Sequence, residues 1–443
     1  MKGFIDTIKN IWSIDELKKR ILTTLSLLLI FRIGSYVVLP GVDSAALSSA
    51  NAAGGGGIAD LLSMFTGGAF SRASIFALGI MPYISASIIF QLMGIAVPAV
   101  QKLQKEGESG RKKLNQYTRL LTIVICVFQA PGYIATSVDA SARPESFMWM
   151  VTSVVILTAG CLFVMWLGER ITDKGIGNGI SLLIMIGIIS SLPFAFFQEL
   201  VGRLGNGGVV IFLIEMVALL LVIGFTILII QAVRRIPLQF ARKIAGSNRT
   251  EVGGARQFLP LKLNSTGVMP IIFAQAIMFI PLYLGSAGGF QNPILVELGN
   301  FGGFWYNFLF ASIIVAFTYL YTAITINPTA IADDLKRNGG FIPGIKPGID
   351  TESYIDKMLS RLTLPGALCL ALIAIMPAFA MMAGVKQQFS IFFGGTSLLI
   401  MVGVVLDTLQ QIESYLLSRH YDGLMENGRI SGKGNNANYG MAS

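Results

Sequence analysis

The chain has 443 residues, of which 53% are hydrophobic and only 13% charged, with a formal net charge of +9; its mean hydropathy is +0.69. That balance excludes an ordinary soluble domain and makes lipid the solvent for most of the fold. Three cysteines, Cys126, Cys161 and Cys369, lie in apolar stretches, and with the single His420 they offer neither a disulfide framework nor a metal or nucleophile constellation, so neither a cofactor nor enzymatic chemistry is expected.

A helix rises about 1.5 Å per residue and the hydrocarbon core is about 30 Å thick, so a spanning helix needs roughly 20 apolar residues. Residues 1–20 come first and predict an amphipathic N-terminal helix. Phe4, Ile8, Ile11, Trp12 and Leu17 recur at helical spacing beside Lys9, Lys18, Lys19 and Arg20, and no small-residue cleavage site follows. Ten spans are then predicted, at 21–39, 75–93, 117–138, 147–168, 181–199, 209–233, 266–286, 305–326, 361–382 and 392–418. The fold class is therefore an all-α polytopic membrane protein with ten transmembrane helices, and the short alternating strands of a membrane barrel are not found.

Between spans one and two, GGGGIADLLSMFTGGAFSR (54–72) is too short to cross and predicts a re-entrant helix, read either as a movable plug or as an interfacial loop helix. Arg32, inside span one, lies near enough to its end to snorkel. Glu215 and Asp407 sit within reach of the two surfaces and form no evident proton relay. GIGNG at 175–179 has glycine spacing like that of a phosphate loop, but no strand precedes it and no lysine follows, so it reads as a tight turn.

Basic residues set the orientation. With the N-terminus inside, the face opposite the cytoplasm keeps only Arg72, Arg143, Arg203 and Lys386, and every other Lys and Arg except Arg32 falls on the cytoplasmic side, giving both termini inside. The chain divides into a first half (21–199), a second half (200–418) and a C-terminal tail (419–443). Two long cytoplasmic loops, 234–262 and 327–361, carry more charge than orientation requires. They read as basic tips for a polyanion or a cytosolic motor, or as attraction to anionic lipid.

Two motifs recur. Gly79–Ile84 (GIMPYI) in span two is matched by Gly267–Ile272 (GVMPII) in span seven, and Gly179–Ile184 (GISLLI) in span five by Gly395–Ile400 (GTSLLI) in span ten. Each pair joins the same ordinal span of two five-helix halves that cross in opposite directions, the pattern of an inverted repeat, whose pathway lies between the halves. Ile84, Ile184, Ile272 and Ile400 end the motifs, and Ile80 shares a face with Ile84. A ring of such β-branched side chains makes a narrow, dewetted constriction that blocks ions yet parts around a bulky passenger. A secondary transporter is the rival, and it requires ionisable groups converging at the midplane.

Several strings resemble the bacterial SecY family: SRASIFALGIMPYISASIIFQL (71–92), KEGESGRKKLNQYTR (105–119), GERITDKGIGNGIS (168–181), ADDLKRNGGFIPGIKPG (332–348), YIDKMLSRLTL (354–364) and FGGTSLLI (393–400). The resemblance implies an inner-membrane clamshell of two inverted-repeat halves around an hourglass pore that conducts unfolded secretory polypeptides and releases apolar segments sideways into lipid. It places the pore ring on Ile80, Ile84, Ile184, Ile272 and Ile400. The plug falls on about 58–72, including Ile58, Leu61, Leu62, Met64, Phe65 and Arg72. A lateral gate is implied between spans two and three and spans seven and eight, with Ser85 and Gln129 among its polar positions. The implied partners are the small subunits SecE and SecG, the SecA motor, the translating ribosome, signal-bearing polypeptides and anionic lipids. Docking of motor and ribosome falls on Arg242, Lys243, Arg249, Lys336, Arg337 and Lys346. Lys346 stands where the family usually has arginine, and lysine keeps the charge but loses the bidentate fork.

Overall fold

The computed structural model describes residues 12, 14–43, 47, 63, 66–138, 142–144, 146–205, 208–240, 257–264, 267–275, 277–278 and 302–427. Its helices are α1 (Asp15–Gly34), α2 (Met81–Ala96), α3 (Pro98–Lys105), α4 (Glu108–Ser137), α5 (Phe147–Lys174), α6 (Gly179–Gly205) and α7 (Val209–Gln231) in the first part of the chain. After strands β1 (Val233–Phe240) and β2 (Gln257–Lys262) come a helical segment over 269–275, then α8 (Phe304–Thr325) and α9 (Pro328–Arg337). Strand β3 (Gly340–Phe341), α10 (Ile349–Met382), the short α11 (Gln387–Ser390), a 3-10 turn (Ile391–Phe393) and α12 (Gly395–Asn427) complete the order.

Seven helices among the described residues are long and apolar enough to cross a membrane, or eight if α2 and α3, bent by 104°, form one broken span. The expected ten are reduced by two local facts. In α1 the apolar stretch is bounded by Lys18, Lys19 and Arg20 at one end and Arg32 at the other, and most of 276–301 lies outside the described residues. The boundary drawn at residue 20 is crossed without a break by α1, and α12 runs past the expected end of span ten, to Asn427.

Span two needs correction. Residues 66–80 are turns around a β-bridge from Ser74 to Val38, not helix, and α2 begins only at Met81. Gly79 has φ 55°, in the left-handed region that a continuous right-handed helix excludes, and Pro82 occupies the first turn, where its missing N–H costs nothing. The counterpart of Gly79, Gly267, repeats this break, with φ 63° just before the start of a helix, so in that pair sequence similarity is matched by backbone similarity. In the other pair Gly395 has φ 66° at the start of α12, whereas Gly179 at the start of α6 is not in the left-handed region.

In the first half α1 packs on α5, α2 on α4, α4 on α5 and α5 on α6; in the second, α8 on α10 and α10 on α12. The halves meet where α12 packs on α6 and where α7 follows α6. The GIGNG segment is the expected tight turn: Asn178 Oδ1 accepts from the backbone N–H groups of Ile180 (3.1 Å) and Ser181 (3.4 Å), capping α6.

The described parts of the two long loops form a small sheet, and the tip of the first, 241–256, lies outside the described residues. β1 pairs antiparallel with β2, and Gln239 and Phe240 of β1 pair with β3, giving the order β2-β1-β3. Ile236, Leu238, Leu261, Leu335, Ile342, Ile355 and Leu359 bury one another in a core that joins both loops to the start of α10. α9 is set by Asn327, whose side chain accepts from the N–H groups of Thr329 (3.1 Å) and Ala330 (3.3 Å), with Pro328 at the first position.

Candidate functional site

The isoleucines nominated by the repeat come from four separate elements, and the structure brings all of them together. Ile80, Ile184 and Ile400 are buried members of one apolar cluster, with 6%, 7% and 4% of their surface exposed. Ile84 and Ile272 pack against it, half-buried. Ile80 caps α2 and its carbonyl accepts the N–H of Ile84 at 3.1 Å, which fixes both on one turn. Ile184 lies one turn into α6, Ile400 one turn into α12, and Ile272 in the segment after Gly267.

Aromatic side chains that the sequence reading did not single out close the cluster. Phe31 and Phe76 stack with centroids 6.1 Å apart, while Phe389, Phe392 and Phe393, from α11 and the 3-10 turn, are buried among the same residues. Of the expected plug residues, Ile58, Leu61, Leu62, Met64 and Phe65 lie outside the described residues. The end of that segment is described, and it is anchored. Arg32 and Arg72 each donate to the Gly67 carbonyl at 2.8 Å, and both guanidinium groups lie over the Tyr36 ring, at 4.9 and 4.3 Å. Arg32 therefore does not snorkel away from the fold; it also donates to the Tyr36 hydroxyl at 2.9 Å.

Ser85 and Gln129, the expected polar gate positions, share no hydrogen bond. The Ser85 hydroxyl donates back to the Met81 carbonyl of its own helix at 3.1 Å, and Gln129 is exposed on α4. The polar link between α2 and α8 is instead Tyr321, whose hydroxyl donates to Gln91 Oε1 at 3.3 Å. Tyr321 sits in an aromatic group with Phe273, which stacks on Phe317 at 5.5 Å.

Among the described residues, the side where α6, α7 and α12 meet carries more hydrogen bonds and ion pairs. Arg203 of α6 donates to Glu199 Oε1 (2.9 Å), to Glu215 Oε1 of α7 (2.5 Å) and to the Gly384 carbonyl (2.6 Å). The Lys386 N–H reaches Glu199 Oε2 (3.3 Å) and its ammonium the Gln198 carbonyl (3.0 Å). Away from that network, Gln411 of α12 accepts the Gly177 N–H at 2.8 Å, Thr24 accepts the Ile176 N–H at 3.1 Å, and Arg20 lies 5.1 Å over the Tyr415 ring. Glu215, expected within reach of a surface, is thus buried and ion-paired.

Of the basic loop positions, Lys336, Arg337 and Lys346 are exposed, as are Arg234 and Arg235 on β1. Gly344 and Gly348, on either side of Lys346, have φ 85° and 108°, which hold that loop in tight turns. Arg242, Lys243 and Arg249 lie outside the described residues. No group of His, Cys, Asp and Glu that could hold a metal ion is found among the described residues.

Comparison with known proteins gives one consistent result. The SecY family model matches residues 74–409. The chain is 41% identical over 437 residues to the protein translocase subunit SecY of Thermotoga maritima, covering 96% of this chain and 99% of the relative. It is 41% identical over 433 residues to that of Escherichia coli K12 (95% and 96%) and 40% identical over 429 residues to that of Streptomyces coelicolor (93% and 97%). Among solved structures, one described as a protein conducting channel aligns with TM-score 0.67 at 17% identity, covering 92% of this chain and 94% of that one. Sec61 in the canine ribosome-channel complex aligns with TM-score 0.62 at 15% identity over the same shares.

Proposed function

This chain belongs to the SecY family, and on that premise we propose that its isoleucine cluster is the closed seal of a polypeptide-conducting pathway. The chain is the channel subunit of the Sec translocon, a membrane-embedded multi-span protein. The observation that carries the seal is the convergence of Ile80, Ile84, Ile184, Ile272 and Ile400 from both repeat halves into one apolar cluster. Such a seal excludes ions by dewetting, and it yields to a passenger because no covalent or ionic bond has to break.

The transporter reading lacks its requirement. The only buried charged side chains among the described residues are Glu199 and Glu215. Glu199 stands 15 residues along α6 from Ile184, about 22 Å at helical rise. We infer no catalytic step, and energy for movement comes from partners.

The remaining assignments are part of the same proposal. The segment ending at the Gly67–Arg72 anchor is the plug, and the seam between α2 and α4 on one side and span seven and α8 on the other is the lateral gate. Both termini face the cytoplasm across the inner membrane, which puts the β1–β3 sheet and its exposed basic residues on the cytoplasmic side. There they meet the ribosome, as Sec61 does in the canine ribosome-channel complex, and the SecA motor, with SecE and SecG as membrane partners. Site-specific crosslinking from Ile84 and Ile400 to a stalled secretory chain tests the seal. Contact at both positions is expected; contact only at lipid-facing positions such as Leu220 refutes it.

A further inference from the structure

The turns over residues 66–80 carry a series of contacts that runs from α4 to the isoleucine cluster. Tyr133, near the end of α4, donates its hydroxyl to the Phe70 carbonyl at 2.6 Å. Its ring meets that of Phe70 edge-on, with centroids 4.7 Å apart. The Phe70 N–H in turn donates to Thr66 Oγ1 at 3.1 Å. Thr66 then closes the segment on itself: its Cγ2 lies 2.9 Å from the point that a Cβ on Gly79 would occupy. The residue after Gly79 is Ile80, a buried member of the cluster.

Each of these links resists slack. Tyr133 and Thr66 keep only 5% and 3% of their surface exposed, so the hydrogen bonds they make are shielded from exchange with water and costly to leave unmade. At Gly79 the approach of Thr66 is closer than any side chain would allow, and packed atoms transmit a displacement instead of absorbing it. Pro131 stands two residues before Tyr133 and removes a bond to the preceding turn of α4, so the end of that helix depends more on what it touches. From the opposite side, the bond from Arg32 to the Gly67 carbonyl ties the same turns to α1. The segment is thus held between α1 and α4 and bears on the residue before Ile80. We propose that Tyr133 is a positioning residue, which sets Ile80 in the seal from α4 through Phe70, Thr66 and Gly79. The proposal rests on the reading of the isoleucine cluster as the seal.

The test uses the complete complex in proteoliposomes holding a potassium gradient, and reads the resting leak beside the thermal midpoint. Tyr133→Phe keeps the ring and removes the hydroxyl; Thr66→Val keeps a methyl against Gly79 and removes the acceptor. Each is expected to raise the leak about fivefold, the worth of roughly one net hydrogen bond. The double variant is expected to leak no more than either single one, because a series of links is already broken by one cut. Trp149→Phe is the control. Trp149 packs against the same apolar cluster as Tyr133 and donates to the Pro40 carbonyl at 2.7 Å, outside the series, so its loss lowers the midpoint without the leak. An unchanged leak in Tyr133→Phe overturns the proposal. So does an equal leak from Trp149→Phe, or a double variant that leaks about 25-fold, as two independent losses would. Should Tyr133→Phe not assemble, Thr66→Val against Trp149→Phe decides in the same way. Ile400→Ser in the same vesicles separates the two readings. If it leaks while Tyr133→Phe and Thr66→Val do not, the link alone falls; if it does not leak, the seal falls and the link with it.

Discussion

Replacing Ile400 with serine separates sealing from stability. Ile400 keeps 4% of its surface exposed in the cluster with the other four isoleucines, and burying such a side chain is worth about 1.5–3 kcal/mol. In an open pathway the same side chain faces the passenger or water, so the loss falls on the closed state alone. A shift of about 2 kcal/mol raises the open population roughly 30-fold. Leu399 is the control: it is fully buried, at 0% exposure, but belongs to the neighbouring cluster with Tyr306, Phe310 and Leu370. In proteoliposomes holding a potassium gradient, Ile400→Ser is expected to leak at rest by a factor of that order. Leu399→Ser is expected to lower the thermal midpoint of the complex with no comparable leak. Equal leak from both variants, or none from Ile400→Ser, refutes the assignment of the cluster as the seal.

Tyr321→Phe removes the 3.3 Å bond to Gln91, a long contact worth about 0.5–1 kcal/mol. Since a central leucine contributes about 0.3–0.6 kcal/mol to membrane partitioning, the variant should accept signal segments poorer by one or two leucines. Translocation of a leucine-titrated series measures this, and an unmoved threshold counts against the gate contact. Arg203→Met leaves Glu199 and Glu215 buried without their counter-charge, at a cost of about 3–5 kcal/mol. A large fall in the thermal midpoint is expected, with Glu215→Gln milder; melting at the unaltered temperature removes this network as a tie between the halves. Gly395→Ala forces an L side chain to φ 66°, a penalty of about 1–2 kcal/mol. Gly403→Ala, inside α12 with only ordinary contact to Val268 at 3.6 Å, should be neutral or stabilising, and thermal denaturation distinguishes the two.

The isoleucine cluster was legible in the sequence because it rests on one-dimensional information: apolar runs of spanning length and two motifs recurring at matching spans. The positive φ shared by Gly79 and Gly267 shows that in the pair of spans two and seven the backbone break is repeated together with the motif. Gly79 and Pro82 set the start of α2 later than hydropathy alone placed it. What escaped were contacts between distant positions. Tyr321 and Gln91 lie 230 residues apart, and nothing local distinguishes them from other polar residues near helix ends. Arg203 read as one charge in a topology count, and Glu215 as a group near a surface; their pairing exists only once α6 and α7 fold back on each other. The strands were hidden by Pro237 and Pro260, which are unusual inside a sheet. β3 reaches only Gln239 and Phe240, so at Pro237 β1 is an edge and the missing N–H is tolerated.

The unequal bonding of the two seams has a mechanical consequence. Among the described residues, the halves share the Arg203 network, the Lys386 contacts and the Gly177–Gln411 bond along the α6, α7 and α12 side, whereas the side-chain hydrogen bond between α2 and α8 is that of Tyr321 to Gln91. On the proposed reading, a passenger wedged into the cluster strains both seams alike, and the one with fewer bonds among the described residues yields first. Opening would then run toward lipid rather than through the strapped wall, and recoil along the intact wall would carry the halves back into register once the wedge is gone.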